Sequence, residues 1–268
     1  MLAFHYRPNH EPAEPYTPPT WADGTDEEIA EAVAKADAGE IDLTDYWSVG
    51  DERTVGLSAM SATGDTFDVN ETHAAQDVTF VIMNVGYNVT DVDNSNVNFV
   101  VGLKNSLNTS GVMNQSKVMN GSSATNAINY GGWNNSARRK WCNSIFYASF
   151  PDTIKDIFKL FRTKTANGGS SNYTGIQTSQ DRFALFAEKE VFGSKTYCRD
   201  EELSQLNQIN YYTTATNRIK QTNGSNNYWW ERSPYGSDTK GFCCVNGSGS
   251  TYRFDANNTC GIAPFGCI

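Results

Sequence analysis

Residues 228–235 read YWWERSPY and residues 261–268 read GIAPFGCI, and these two stretches frame the most informative part of the sequence. Both are aromatic and aliphatic, which predicts buried strands over Tyr228–Ser233 and Ile262–Ile268. Between them, Tyr, Ser, Gly, Asn, Asp, Thr and Cys dominate. This composition is typical of a binding loop, because Tyr offers a large amphipathic contact and Ser, Gly and Asn offer adaptable hydrogen bonds. The alternative is ordinary surface loops in a polar protein.

The overall composition indicates a folded, loop-rich and β-containing chain. Of its 268 residues, 38% are hydrophobic, 19% are charged and 12% are aromatic, and the aromatic share excludes global disorder. The net charge of −9 predicts repulsion from nucleic acid and anionic membranes. The densest basic cluster, Arg138, Arg139 and Lys140, is too short for a nucleic-acid stripe and is interpreted as a solvated helix face.

Neither a membrane span nor a signal peptide is predicted. No apolar run approaches the roughly 18 residues of a spanning helix. The N-terminal stretch MLAFHYRPNHEPAEP lacks a basic n-region and an apolar h-region, which predicts synthesis in a cytoplasm.

The six cysteines are interpreted as buried or incidental free thiols. No C-x-x-C pair occurs, which disfavours zinc, and a chain without a signal peptide is not expected to meet an oxidising compartment. One or more disulfides remain the alternative. The cysteines are Cys142, Cys198, Cys243, Cys244, Cys260 and Cys267.

The N-terminal part reads as an arm followed by a helix. Residues 1–24 are Pro-rich and are predicted to be extended, either as an arm that docks on a partner or as a floppy terminus. Trp21 favours docking, since an exposed tail Trp is costly. Thr25 and Glu28 form a capping box for a short acidic helix that ends at Gly39.

From residue 41 onward the pattern predicts strands, then helices, then strands again. Strands are expected over 51–60, 77–85, 98–103 and 183–192, with a long loop over 105–132. Helices are expected from Asn134 or Asn135 and, through Pro151, over 151–161. Type I′ hairpin turns are expected at four Asn-Gly pairs, which begin at Asn120, Asn167, Asn223 and Asn246.

The sequence offers few candidate catalytic residues. His73 is the only histidine outside the arm, and it has no nucleophile motif nearby, which favours a structural or surface role. Glu188, Glu190 and Glu231 lie in aromatic sequence and could in principle form a glycosidase pair, but internal salt bridges or turn contacts are the favoured interpretation. The sequence contains no nucleotide-binding, zinc-protease, EF-hand or nucleophile-elbow motif.

The motif W-W-x-R-S-P followed by G-[IVL]-x-P resembles a family of bacterial and phage domains that is common in gut Firmicutes and their prophages. Here the motifs are Tyr228–Pro234 and Gly261–Phe265, and further similar stretches cover 45–60, 131–143 and 183–193. The resemblance spans about residues 41–268. The chain departs from the usual pattern at Glu231, where Leu is common, and at Ala263, where Arg is common.

The same ending resembles, more distantly, the C-type lectin fold of formylglycine-generating-type domains, which also hosts the variable proteins of diversity-generating retroelements. In those proteins adenine-directed mutagenesis varies a C-terminal stretch on a ligand-facing surface. The residue types that such mutagenesis yields include Asn, Tyr, Ser, Asp, Thr, Gly and Cys, and the same types dominate residues 235–260. The E-P-N and Q-P-D sugar motifs of calcium lectins are missing. No cysteine pair of the formylglycine-generating type can be matched. The resemblance therefore implies neither calcium-dependent sugar binding nor formylglycine-generating activity for this chain.

The resemblance implies an α+β, C-type-lectin-like domain at 41–268 with short antiparallel strands, two helices and long loops, preceded by a virion-docking arm and helix at 1–40. It implies a phage or prophage tail-associated receptor-binding protein, made in the bacterial cytoplasm, without catalysis or cofactor. Expected partners are a cell-surface glycan or protein, the virion tail, and further copies of the chain, with a trimer as the state typical of tail appendages. The alternatives are a virion structural or decoration protein, and a formylglycine-generating-like or glycan-active enzyme.

Ten residues are predicted to contact the ligand, with Tyr, Arg and Lys as anchors and Asn, Asp and Ser as hydrogen-bonding groups. Trp229, Trp230 and Phe265 are assigned to the scaffold. The ten residues are Tyr235, Ser237, Asp238, Lys240, Asn246, Tyr252, Arg253, Asp255, Asn257 and Asn258.

Overall fold

The computed structural model describes residues 15–62, 69, 71–114, 129–169 and 174–268, so most of the predicted arm and the Asn120-Gly121 pair lie outside the described residues. Within these ranges the chain is a mixed α+β protein of mostly small antiparallel sheets and short helices. The strands are β1 Glu52–Leu57, β2 Met60–Ala62, β3 Glu71–His73, β4 Gln76–Val85, β5 Phe99–Leu103, β6 Phe161–Ala166, β7 Ile176–Asp181, β8 Phe183–Ala184, β9 Lys220–Thr222, β10 Ser225–Asn227, β11 Trp229–Pro234, β12 Gly241–Val245, β13 Thr251–Asp255 and β14 Phe265–Cys267. The α-helices are α1 Asp26–Asp37, α2 Gly132–Asn135, α3 Ala137–Trp141, α4 Asp152–Lys155 and α5 Glu188–Phe192, with a π-helical segment at Cys142–Phe146.

The principal sheet has five strands in the order β1-β4-β5-β14-β8, and its neighbouring strands are antiparallel. The apolar runs that predicted buried strands at 77–85 and 98–103 form β4 and β5, and every residue of β5 is buried. The predicted last strand is β14, which lies between β5 and β8. The scaffold role of Phe265 is confirmed, since its ring is fully buried and stacks on Phe186 at 4.2 Å.

The N-terminal helix forms as its caps predict. The Thr25 hydroxyl accepts the Glu28 N–H at 3.2 Å, and the Glu28 carboxylate accepts the Thr25 N–H at 2.8 Å. Ile29, Ala32 and Val33 of α1 are buried in the same core as the rest of the chain. Trp21 is also buried, with its ring centre 5.3 Å from that of Trp47, so this part of the predicted arm packs against its own chain.

A separate three-stranded sheet, in the order β11-β12-β13, carries the aromatic motif. Every residue of β11 and β12 is buried, which confirms the strand predicted over 228–233 and the scaffold role of both tryptophans. The indole N–H of Trp229 donates to Arg218 O and that of Trp230 donates to Gly111 O, each at 2.8 Å. Strand β13 lies at the edge of this sheet and is only partly buried.

The helix predicted over 151–161 and the strand predicted over 183–192 are wrong in extent. Helix α4 ends at Lys155, because the Lys159 N–H donates to Cys267 O at 2.8 Å and draws the chain onto β14. After β8 the chain enters α5, because the Glu190 carboxylate accepts the Ala187 N–H at 2.8 Å and caps that helix. Instead of two helices, the described residues beyond 41 contain four α-helices of four or five residues each.

The Asn-Gly pairs behave differently from one another. Asn223 and Gly224 join β9 to β10 with φ angles of 50° and 78°, as a type I′ turn requires. Asn246 instead begins a longer connection, in which its side-chain oxygen accepts the N–H groups of Ser248 and Ser250. Asn167 begins another longer connection, and its N–H donates to Gly175 O.

The basic cluster at 138–140 is not a solvated helix face. Arg138 is fully buried and its guanidinium binds the Glu71 carboxylate, with Nη2 to Oε2 at 2.7 Å. Arg139 pairs with the buried Asp181, and only Lys140 is exposed. Burial alone would raise the pKa of Glu71, but Arg138 and His73 outweigh it and lower that pKa. The ion pair explains the burial of a charge that the local sequence places on a helix surface.

Candidate functional site

Strand β13 presents an open edge. In its register with β12, Ala256 N–H bonds to Lys240 O and Asn246 N–H bonds to Ser250 O, so the even-numbered residues make the bonds to β12. The N–H and C=O groups of Thr251 and Arg253 therefore point away from β12. In the described part of the chain neither residue has a hydrogen bond from these groups.

A groove of about 350 Å³ follows this edge. Successive side chains of a strand alternate between the two faces of a sheet, so the four β13 residues that line the groove come from both faces. The groove therefore wraps around the edge of the sheet. Its lining residues are Tyr197, Tyr235, Tyr252, Arg253, Phe254, Asp255 and Asn258.

On one face, Arg253 is held between an aromatic ring and a carboxylate. Its guanidinium carbon lies 4.6 Å from the ring centre of Tyr235, and its Nη1 lies 3.8 Å from Asp238 Oδ2. The latter distance is too long for a hydrogen bond, and Arg253 stays 43% exposed. The guanidinium thus keeps free donors for an incoming acceptor.

On the other face, three aromatic rings form a cluster. The ring centres of Tyr228, Tyr252 and Phe254 are 5.0–5.4 Å apart at interplanar angles of 60–67°. Tyr252 is 40% exposed, so this cluster offers an apolar surface to solvent. Such amphipathic rings are the side chains that most often anchor a binding partner.

The structure brings together half of the ten predicted ligand residues. Five line the groove: Tyr235, Tyr252, Arg253, Asp255 and Asn258. The other five lie outside its lining, in the connections that flank β12 and β13: Ser237, Asp238, Lys240, Asn246 and Asn257. None of the ten is in the buried class.

Two of the residues outside the lining have bonds within their own turns. Asp238 Oδ1 accepts the N–H groups of Lys240 and Gly241 at 2.9 and 2.7 Å. Asn246 Oδ1 accepts from the backbone of its own loop, as described above. Both side chains therefore shape the loops that support β13.

Sequence reasoning missed Tyr197, Phe254 and Tyr228. Tyr197 lies in an irregular segment far from the motif and reaches the groove because Gly236 N–H bonds to Tyr197 O at 2.8 Å. Phe254 carried a signal, since it alternates with Arg253 in the short strand TYRFD. No local signal distinguishes Tyr197.

A second cluster of chemical groups is enclosed in the interior behind β11. Glu188, Glu190, Glu202, Glu231 and Arg232 are all buried. Glu190 pairs with Arg232, and Glu188 accepts the Cys198 N–H at 2.7 Å, which confirms the salt-bridge and turn-contact interpretation for these two. Glu231 has no hydrogen-bond partner among the described residues.

Burial dominates the electrostatics of this cluster. It raises the pKa of Glu202 to about 7, although Ser233, the Ala166 N–H and Arg232 oppose the shift. It also raises the pKa of Glu231, and the neighbouring carboxylates Glu188, Glu202 and Glu190 add to the effect. Glu188 and Glu190 are engaged by backbone amides and by Arg232, so the arrangement is that of a structural ion network.

The remaining reactive groups are also enclosed. His73 is fully buried, and its Nε2 lies 2.9 Å from Glu71 Oε1, which confirms its structural role. All six cysteines are free and buried, as predicted. Burial raises the pKa of the Cys142 and Cys198 thiols, which disfavours the nucleophilic thiolate.

The described ranges contain neither a membrane-spanning helix nor a metal-binding cluster. None of the helices there is both long and apolar enough to cross a membrane. In the same ranges, no three His, Cys, Asp or Glu side chains are grouped so that they could hold a metal ion.

Comparison with known proteins gives one family. A model described as a domain of unknown function, DUF6273, matches residues 106–268, which include β13, its groove and the buried cluster behind β11. No curated protein and no solved structure matches the chain. Since the match covers more than half of the sequence, the chain belongs to the DUF6273 family.

Proposed function

We propose that the chain is a phage or prophage tail-associated receptor-binding protein, with a C-type-lectin-like domain that displays its C-terminal surface to a host cell. The groove along β13 is the binding site, and those of its side chains that lie within residues 235–260 are the ones that would vary between copies of the gene. Catalysis is not part of the proposal.

The observation that carries the proposal is the contrast between β13 and the strands beneath it. Every residue of β11 and β12 is buried, whereas Tyr252 and Arg253 of β13 are exposed. A rigid frame with exposed aromatic, Arg and amide side chains is the arrangement that binding surfaces use. The titratable groups of the interior, by contrast, are enclosed, and Glu190 and Glu71 are held in ion pairs, which favours structural roles for these groups over catalytic ones.

The same contrast supports variability at this surface. A side chain that the core does not need can change without loss of the fold. The proposed location on a virion tail rests on the sequence resemblance, in which the N-terminal arm and helix, residues 1–40, would dock the domain to the virion.

The test is binding to cells. Purified chain is incubated with a panel of gut Firmicutes, and the bound fraction is measured for the wild type and for Tyr252→Ala and Tyr235→Ala. Loss of an aromatic anchor is expected to weaken binding by roughly tenfold or more, whereas Tyr235→Phe keeps the ring beneath Arg253 and is expected to bind.

The matched control is Tyr46→Ala, which removes a tyrosine of similar exposure, 45%, from outside the groove. Binding that all of these variants retain would contradict a receptor-binding groove. If the wild type binds no cell but assembles onto tail or capsid proteins through the same tyrosines, the decoration-protein alternative replaces the proposal.

A further inference from the structure

We propose that the edge of β13 binds an extended polypeptide segment, which adds to the β11-β12-β13 sheet as a fourth strand. This inference rests on the proposed function and deepens it, because it names the chemistry of the receptor part that is recognised: main chain in β conformation.

Among the described residues, the outer edge of β13 carries unpaired backbone donors and acceptors. The N–H and C=O groups of Thr251 and Arg253 and the N–H of Asp255 point outward, two residues apart, while the Asp255 carbonyl accepts the Asn258 N–H at 2.9 Å. Alternating donors and acceptors at this spacing are the complement of another strand. Edge strands that keep such a row open are sites of strand addition.

The space beside β13 is open to both faces of the sheet. The groove is lined by consecutive β13 residues, 252–255, and these come from both faces of the sheet. A ligand that lay on one face alone would contact only every second residue. An added strand would lie in the plane of the sheet, with alternate side chains against Tyr252 and Phe254 on one face and against Arg253 and Tyr235 on the other.

The charges and the length of β13 favour a foreign strand over a second copy of the chain. In a two-fold antiparallel pairing of two copies centred on Arg253, the two arginines would lie opposite each other, which is unfavourable. A pairing centred on Phe254 would place Arg253 opposite Asp255, but it would be confined to residues 253–255, because β13 ends at Asp255 and the Asp255 carbonyl already accepts the Asn258 N–H. Arg253 and Asp255 put one charge of each sign on this edge. A foreign peptide can place an acidic residue opposite Arg253 and apolar residues against the Tyr228, Tyr252 and Phe254 rings.

The decisive variants are Arg253→Pro and Arg253→Ala. Both remove the guanidinium, but only proline also removes the outward N–H. Proline is tolerated on an edge strand where the N–H faces solvent, so both variants are expected to fold, as checked by circular dichroism and thermal unfolding. The probe is a library of random linear dodecapeptides, selected on the wild type, and a glycan array is measured in parallel.

We expect the selection to yield peptides that alternate apolar and polar residues, and we expect Arg253→Pro to bind them roughly tenfold more weakly than Arg253→Ala. A second measurement does not depend on the proline variant. In the wild type, amide hydrogen exchange at Thr251, Arg253 and Asp255 is expected to slow about tenfold or more when a selected peptide is bound, because these amides become hydrogen-bonded.

The outcomes separate this inference from the proposed function. Peptides that bind both variants equally and leave the three amides unprotected would overturn strand addition. So would glycan or cell binding without any selected peptide. In either case, cell binding that depends on Tyr252 and Tyr235 would leave the receptor-binding role intact. If neither peptides nor cells are bound, both proposals fall.

Discussion

Arg232 and Glu190 form a bidentate ion pair in the interior, with Nη1 to Oε2 at 2.5 Å and Nη2 to Oε1 at 2.9 Å. Both side chains are at most 1% exposed. The remaining guanidinium donors bind Leu185 O, Lys164 O and the Thr165 hydroxyl. The pair therefore links β11 to α5 and β6, and it fixes the sheet that carries β13 to the rest of the core.

Removal of the cation is expected to be costly. Arg232→Met leaves Glu190 buried without its counter-charge, next to Glu202, and should lower the free energy of unfolding by about 3–5 kcal/mol. Urea unfolding measures the change. The control is Lys104→Met, since Lys104 pairs with Glu52 at the surface and its loss should cost about 1 kcal/mol or less. Equal losses in the two variants would contradict a structural role for the buried pair.

Replacement of Glu231 is expected to stabilise the protein. The carboxyl is buried and unpartnered among the described residues, so Glu231→Leu should raise the free energy of unfolding by about 1–3 kcal/mol. Because burial and the neighbouring carboxylates raise the folded-state pKa, the folded chain holds this proton more tightly than the unfolded chain does. The wild type therefore loses stability as the pH rises above the unfolded value near 4.5, and the leucine variant lacks that loss.

The measurement for Glu231 is urea unfolding of both proteins at pH 5 and pH 8. The advantage of the leucine variant should be larger at pH 8. Glu231→Gln is the matched control, since it keeps a buried polar group but cannot ionise. An advantage that is the same at both pH values would mean that folding does not raise the pKa of Glu231.

Lys220 should produce the opposite dependence. Its ammonium is fully buried, donates to the carbonyl oxygens of Leu103 and Lys104, and lies 5.2 Å from the ring centre of Trp229. Burial lowers its pKa to about 7, so the folded chain releases this proton more easily than the unfolded chain does. The contribution to stability therefore rises between about pH 7 and the unfolded value of 10.5, and it is lost as the pH falls through 7.

Unfolding at pH 7 and pH 9 tests the Lys220 prediction. Relative to Lys220→Met, the wild type should gain about 1–3 kcal/mol over this interval. Lys140→Met, which replaces an exposed lysine, should show no such difference. A constant difference between the wild type and Lys220→Met would mean that the ammonium stays charged throughout.

The cysteines give a prediction that needs no substitution. Since all six are free and buried, the native protein should react with a thiol reagent such as Ellman's reagent only as fast as it unfolds. In urea, six thiols per chain should react at once. A rapid reaction of the native protein, or fewer than six thiols in urea, would point to an accessible cysteine or to a disulfide.

The features that local sequence determines were predictable. The Thr25–Glu28 capping box and the apolar run of β4 each carry their signal within about ten residues, and both formed as expected. Features that depend on distant partners were not predictable. Arg138 is buried because the carboxylate of Glu71, 67 residues earlier, pairs with its guanidinium. The helix at Pro151 is short because the Lys159 N–H donates to the carbonyl of Cys267 in β14.

The candidate site likewise combines features that local sequence predicts with features that depend on distant partners. The composition of 235–260 pointed to the segment that contains β13, and Tyr235, Tyr252, Arg253, Asp255 and Asn258 line the groove beside that strand. The open edge itself could not be predicted, because it depends on the order β11-β12-β13. Tyr197 was missed for the same reason, since only the folded chain brings residues 197 and 235 to 5.8 Å between ring centres.

The position of β14 has a consequence for the synthesis of the protein. Because β14 lies between β5 and β8, a ribosome must complete residue 267 before the principal sheet can close. Until then β5 and β8 would each lack a neighbour, and the nascent chain would expose unpaired strands that are prone to aggregate. Chaperones that hold the growing polypeptide should therefore matter more for the yield of this protein than for one whose central strands are translated first.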